Sequence, residues 1–430
     1  MKHILYVLCC FLGLAAVPSN VTAGRFFSAG DIDFELFIND RFHFFNNFFD
    51  SGARKFNQDR DLHILYVNPS LAAPLGPRMQ AVFEIEAELL LDFHGQDFED
   101  DMEVRNAYIQ TLLPHWDWII LTAGRQAITT MDGLIYDDES PAFRIQADLE
   151  RGFDWPFSFQ ALAAEVEQDS VYFHTDLKYS PGFFESLTLS YGFFRDTENG
   201  VARIFNYLEQ QRIYNSRGHI QWFGVSLRKF IGSVYVRASG IFEKGSVRLR
   251  SSENGTRAMS TRGYMFDVNC DYSFNKLFSV SLFFYLASGD SRPESGTLRS
   301  FLSIDPYVDK TNIFFNGGID SQYSADNVGL NGVQLPGVMA PGLAMDFRFG
   351  NKAFVRGVFA YLLTHKGTGG NGHDYGWEAD IMAYYNIGET LQLFTEINVL
   401  GPGDYFREHT GRRDHISTEC IVGLNYFFSN

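Results

Sequence analysis

From Gly376 to Ile387 apolar and polar residues take turns along the chain. Trp377, Ala379, Ile381, Ala383, Tyr385 and Ile387 fall on one face; Glu378, Asp380, Tyr384 and Asn386 fall on the other, with Met382 the single apolar intruder. Successive side chains of an extended strand point to opposite faces, so this period of two predicts a strand with one apolar and one charged face. Residues 79–93 repeat it: Met79, Ala81, Phe83, Ile85, Ala87, Leu89, Leu91 and Phe93 oppose Glu84, Glu86, Glu88 and Asp92. The chain closes the same way, Ile416, Thr418, Cys420, Val422, Leu424, Tyr426 and Phe428 alternating up to Ser429 and Asn430. A soluble antiparallel sheet accounts for one such strand. It accounts less well for the pattern recurring along the whole chain with no helical segment between.

Eighteen strands are predicted, at 31–45, 61–67, 79–93, 103–113, 117–125, 142–150, 155–165, 170–179, 186–194, 217–228, 233–243, 259–273, 277–288, 342–349, 353–364, 374–387, 391–399 and 414–428. Bacterial barrels keep both termini in the periplasm, with short periplasmic turns and longer outer loops. Starting upward at residue 31, the short links (114–116, 151–154, 180–185, 229–232, 274–276, 350–352, 388–390) all fall in the periplasmic class, together with a longer Pro- and Gly-containing link at 68–78. The long links (46–60, 126–141, 195–216, 244–258, 289–341, 400–413) all fall outside, with 365–373. Link 289–341 has three readings: a loop folded inward to narrow a pore, an exposed surface loop, or a hidden strand at Ile313 to Ile319.

The first 23 residues read as an export signal: Lys2 and His3, an apolar run from Ile4 to Val17, then Val21-Thr22-Ala23 before Gly24. No later run of about 18 apolar residues exists, which excludes helical spans. Yet the chain holds 43 Phe and 21 Tyr, 16% aromatic with Trp, in alternation with polar residues. An exported chain without a spanning helix meets the backbone hydrogen-bonding demand of lipid by closing a barrel. The expected architecture is all-β: a transmembrane antiparallel β-barrel of about 18 strands over 24–430, in the bacterial outer membrane with lipid around it. The net charge of −17 argues against nucleic acid as a partner. After the signal only Cys270 and Cys420 remain, both at apolar outward positions, and no metal or haem-attachment spacing is present. No cofactor is expected.

The stretch VRNAYIQTLLPHWDWIILTAGRQ (104–126) resembles the porin-like alginate-export family, in which a strand ending in Arg-x-Ala-Tyr precedes one ending in Leu-x-x-Gly-Arg-Gln. YLASGD (285–290), GWEADIMAYYNI (376–387) and LQLFTEINVL (391–400) are similar to it too. The resemblance, spread over about 31–428, implies an eighteen-stranded monomeric barrel; the family's best-known member exports an anionic polysaccharide through an Arg-rich lumen. It also implies that Arg125 faces the lumen, whereas strict alternation through Ile119, Leu121 and Ala123 sends it to lipid unless a bulge or an interfacial position intervenes.

On the same register Glu84, Glu86, Glu88, Asp92, Asp148, Asp267, Asp346, Glu378, Asp380 and Glu396 project inward with Arg41, Arg105, Arg144, Arg237, Arg348 and Arg356. The predicted lumen is mixed and acid-rich, which departs from an alginate exporter. Charged linings set channel selectivity, so the leading expectation is a channel for small hydrophilic or charged solutes. The alternatives are an export conduit served by a periplasmic partner, or a barrel sheathing a multihaem cytochrome. Asn215, Ser216 and His219 lie close in sequence, but a catalytic constellation rests on geometry and not adjacency; no enzyme is expected.

Overall fold

The computed structural model describes residues 32–50, 55–93, 98–166, 170–182, 185–196, 213–251, 255–291, 296–304, 307–308, 310–315, 337–366, 373–405 and 416–429. The export-signal reading of 1–23 lies outside them. The strands are β1 (Asp33–Asp50), β2 (Lys55–Gly76), β3 (Met79–Asp92), β4 (Phe98–Leu113), β5 (Trp116–Thr130), β6 (Tyr136–Asp148), β7 (Phe157–Val166), β8 (Ser170–Gly182), β9 (Glu185–Asp196) and β10 (Ile213–Ile231). They continue as β11 (Val234–Ser251), β12 (Gly255–Thr261), β13 (Tyr264–Ser273), β14 (Phe278–Ala287), β15 (Thr297–Leu298), β16 (Val338–Phe349), β17 (Ala353–Thr364), β18 (Asp374–Ile387), β19 (Leu391–Pro402) and β20 (Ser417–Ser429).

Each wall strand pairs antiparallel with its neighbours, and β20 returns to β1 from Glu35↔Ser429 to Asn46↔Thr418. That last ladder leaves the sheet no edge. Eighteen wall positions result. β12 and β13 share one of them, pairing with the far and near halves of β11, and β15 is a two-residue strand beside β12. The sequence reading joined β12 and β13 as 259–273; the structure breaks that strand between Thr261 and Tyr264. It also removes the expected link 68–78. β2 runs on to Gly76 because Pro69 needs no ladder partner for an N–H it lacks: the β2–β3 ladder skips Asn68 and Pro69 and resumes at Ser70↔Glu84 in the same register. Links 46–60 and 244–258 shorten because β1–β2 and β11–β12 pair far beyond their expected ends.

The outward face carries the large exposed apolar side chains, among them Phe83, Phe173, Leu189, Phe223, Leu282 and Ile381. This is the apolar band of a lipid-facing wall. Cys270 shares it with its partners Val236 and Leu282, and Cys420 with Phe44 and Ile397. The inward face changes with height. Near the short turns it is polar. Toward the long links it is apolar and covered, with Tyr172, Phe194, Ile220, Trp222, Leu362 and Tyr375 all fully buried.

What covers it is partly the β5–β6 hairpin. β5 pairs with β4 only as far as Arg125, and β6 pairs with β7 only from Ala142 onward. Past those rungs the two strands pair with each other alone, up to Thr130↔Tyr136. The hairpin has left the wall. It turns at Gly124, whose φ of +127° side chains resist and whose Cβ position would lie 2.2 Å from the Ala107 carbonyl oxygen. Residues 126–141, expected as an outer link, thus lie inside the barrel. Ile128, Met131, Leu134 and Ile135 are buried there, each contributing about 1.5–3 kcal/mol over an exposed position. Gly124→Val should therefore weaken the inward turn by on the order of 1–3 kcal/mol. Urea unfolding in detergent would show it as a lowered midpoint, and limited proteolysis as cleavage within 126–141.

Candidate functional site: a lumen narrowed by two inserts

The hairpin tip is a single 3-10 turn at Met131–Gly133. Met131 packs on Gly224, an inward position of β10 without a side chain; a Cβ there would lie 3.1 Å from its sulfur. Asp132 accepts hydrogen bonds from the Arg228 guanidinium and, at 2.9 Å, from the Ser239 hydroxyl. Tyr172 donates to Thr130 at 3.0 Å. The tip is thereby fastened to the inner wall of β8, β10 and β11.

The second insert comes from link 289–341. Its root is tied at Gly289, whose N–H donates to His365 Nδ1 at 3.0 Å. Further on, Trp222 Nε1 donates to the Leu302 carbonyl at 2.8 Å and the Leu302 N–H donates to Glu243 at 2.6 Å. Lys310 then reaches Asp267 at 2.7 Å. Residues 311–314 end in a grip of acceptors: Glu378 takes the Thr311 hydroxyl (2.7 Å) and the N–H groups of Ile313 and Phe314. Asp380 takes the Asn312 N–H at 3.1 Å, and the Asn312 amide reaches Glu396 and Asn398 at 3.1 and 3.0 Å. Phe314 packs edge-on beside Phe315 and against Tyr375. Of the three readings of this link, the described parts show the inward one. Ile313–Phe315 is a turn, not a strand; Ile319 lies outside the described residues. The inserts meet where Ile304 and Tyr307 donate to the carbonyls of Ile135 and Gly133, both at 2.9 Å.

This arrangement sorts the sequence-derived charges. Glu378 and Asp380 face inward as expected but are 0% and 1% exposed. They hold the second insert and do not line free lumen, because a backbone N–H needs an acceptor when the loop carrying it is buried. Glu396 shares that task at its edge. Asp267 is taken up by Lys310. On the opposite side Arg105 binds Glu139 of the hairpin at 2.8 Å and the wall residues Glu86 and Glu103 at 3.4 Å each. Arg125 approaches Glu103 at 3.9 Å, so the turn at Gly124 brings it to the lumen side. Arg144 donates to the Ala127 carbonyl at 2.5 Å. Glu84 accepts from Asn106 at 2.6 Å, whose oxygen takes the Ala127 N–H at 3.1 Å. Arg41 sits 4.7 Å over the Tyr66 ring, and Tyr66 also bonds Glu88. Asp92 stands opposite buried Leu62.

The rest lie toward the short turns. Arg237 meets Asp271 at 3.3 Å, and Asp346 lies 3.8 and 3.9 Å from Arg348 and Arg356. Asp148 caps the short helix Leu149–Phe153 by accepting from the N–H groups of Glu150 and Arg151. The sequence reading missed Glu103, Asp132, Glu139, Arg228, Glu243 and Glu419. Asp132 and Glu139 sit in what read as an outer link. Glu243 occupies an inward rung at the end of a predicted strand, so alternation could have found it. His219 stacks on Phe193 of the outward face; the side chains of Asn215 and Ser216 lie outside those described.

Cavities remain beside the inserts. One of about 370 Å³ lies along β1–β3 and β18–β20, lined by Asn39, Arg41, Tyr66, Asn68, Glu86 and Glu396 among others. Another of about 540 Å³ lies under the hairpin tip, with Trp118, Asp132, Gln146, Asp176, Lys178 and Arg228 in its lining.

Solved structures share this architecture. OccK5 (OpdH) of Pseudomonas aeruginosa superposes with a TM-score of 0.56 at 11% identity, over 93% of this chain and 98% of that one. The chain has the fold of a bacterial outer-membrane barrel. OpdQ of the same organism gives 0.54 at 10% identity over 93% and 99%, and outer-membrane OpdK, solved with vanillate, gives 0.53 at 11% over 93% and 99%. No protein-family model matches this barrel's sequence, and no curated protein matches it.

Two outcomes follow. Glu378→Ala leaves three buried donors without an acceptor, each costing about 1–3 kcal/mol; the second insert should loosen, seen as new protease cleavage within 296–315 and a larger single-channel conductance. Acid should loosen the first. Burial alone would raise the Asp132 carboxyl, but Arg228 with the Ser239 and Ser226 hydroxyls outweighs it and holds the group below its ordinary 3.8. A depressed carboxyl stabilises above its unfolded value, and that stability is lost as pH falls through the folded one. The tip should stay docked down to its ordinary value, 3.8, and release below it. Asp132→Asn should remove this acid-dependent step from the conductance–pH curve.

Proposed function

We propose that the chain is a porin-like channel of the bacterial outer membrane that passes small hydrophilic or charged solutes. The observation that carries this reading is the character of the surface the inserts leave uncovered. The wall of β1–β4 and the rim of the 370 Å³ cavity present Arg41, Glu86, Arg105 and Glu396 with amides and tyrosines; Arg105 and Glu396 each touch an insert, yet all four stay partly open to the lumen. A lining of opposed charges orients a small polar solute and excludes apolar ones. OpdK, which shares the fold, was solved with vanillate, a small solute; that supports a cargo of similar scale.

Membership in the alginate-export family stays a second reading, and one feature favours it. The residues of the shared stretch gather where the hairpin leaves the wall. Arg105 and Asn106 hold Glu139 and Ala127; Gly124 makes the turn; Gln126 donates to the carbonyls of Gly124 and Ala142. A cytochrome sheath is disfavoured, because two inserts occupy the space a haem wire would need.

Reconstituted into planar bilayers, the protein should give discrete, ohmic openings. Glu86→Gln, which frees Arg105 from one partner, should move the reversal potential toward anions. A barrel closed at every voltage and salt, even without residues 296–315, would count against the channel.

A further inference from the structure

The outward face of β1 and β2 holds a pair that lipid does not suit. Asp40 Oδ1 and His63 Nε2 are 2.6 Å apart, with side chains 40% and 26% exposed. Both stand on outward rungs. Asp40 lies between Leu424 of β20 and Leu65 of β2; His63 lies between Phe42 of β1 and Leu91 of β3. Phe42 stacks on the imidazole at 4.4 Å. Exposed Phe42, Phe44, Leu91, Val422 and Leu424 surround the pair, so it sits within the apolar band and not at the end of a strand. Ionisable groups facing hydrocarbon are costly and mark a contact with something other than lipid.

We infer that this patch is the contact between two copies of the chain about a twofold axis along the membrane normal. Such an axis places the same patch of each copy at the same height and requires it to be self-complementary. The pair meets that requirement with the imidazole protonated on both nitrogens, since it then offers a second carboxylate oxygen beside an Nδ1–H donor. The second Asp40 oxygen and the His63 Nδ1 are not used in the bond between them. Asp40 of each copy can therefore meet His63 of the other, with the flanking Phe42 and Phe44 packing around a polar centre. An anionic lipid headgroup fits less well, because among the described side chains no lysine or arginine stands beside the carboxylate on this face. The inference requires the barrel in a bilayer and is independent of which solute the lumen passes.

The chain carries its own reporters. Cys420 lies on the outward face one strand from β1, opposite Phe44, while Cys270 lies on the outward face of distant β13. The full-length protein, extracted in native-membrane particles, should have the mass of a dimer. With Cys9 and Cys10 replaced by Ala, a long-spacer bismaleimide should link two copies of the protein and of its Cys270→Ala variant, and should fail in Cys420→Ala. Asp40→Leu with His63→Leu makes the face apolar, which a lipid-facing wall tolerates; the barrel should keep its heat-modifiable mobility and its conductance while the dimer is lost. A monomer in native particles, a link through Cys270, a link to another protein, or a dimer unchanged in the double leucine variant would each overturn the inference.

Discussion

Hydrocarbon offers no partner for a backbone N–H or C=O, so a sheet that crosses it must close on itself. Here the β20–β1 ladder closes eighteen wall positions. The number has a consequence. A wall of about eight strands can be filled by its own side chains, whereas sixteen to eighteen leave an aqueous lumen. Everything inside the barrel answers to that width. The protein narrows it with two segments of its own chain, one taken from the wall at β5–β6 and one from the longest link.

Putting chain into a lumen moves the backbone problem indoors. A buried loop has no ladder, so its N–H groups need side-chain acceptors. Glu378, Asp380 and Glu243 supply them for residues 302 and 312–314. Apolar packing does the rest. The inward positions of the outer half, such as Trp222, Tyr172 and Tyr375, form a core between wall and inserts. The interior thus divides by role: carboxylates and rings such as Glu378, Glu243 and Trp222 fasten the inserts, while Arg41, Glu86 and Arg105 keep part of their side chains open to the lumen, Arg105 holding the hairpin as well.

Much of the wall was legible in the sequence, because a strict period of two has one reading on a closed sheet. The strand count, the placement of the short turns and the outward Cys270 and Cys420 all follow from it. The inserts were not legible. Residues 126–141 look like any outer link, and their burial depends on one left-handed glycine and on donors a hundred residues away, Arg228 and Ser239. The same distance hid the role of Glu378: alternation places it inward, but only the folded chain puts Ile313 and Phe314 against it. A faint signal exists in the outer halves of strands, such as 282–287 and 358–363, where both faces are apolar. A water-filled lumen would not need that; a packed insert does. Asp40 and His63 were legible as outward polar positions, yet only the register makes them neighbours.

The two inserts meet inside the barrel, and that contact is directly measurable. Ile304 and Ile135 face each other there through a backbone hydrogen bond of 2.9 Å, close enough for a disulfide between cysteines placed at both. In intact outer membranes, Ile135→Cys with Ile304→Cys should cross-link under mild oxidation while the barrel keeps its wild-type conductance. A pair that stays reduced, with the second insert cut freely by external protease, would contradict it.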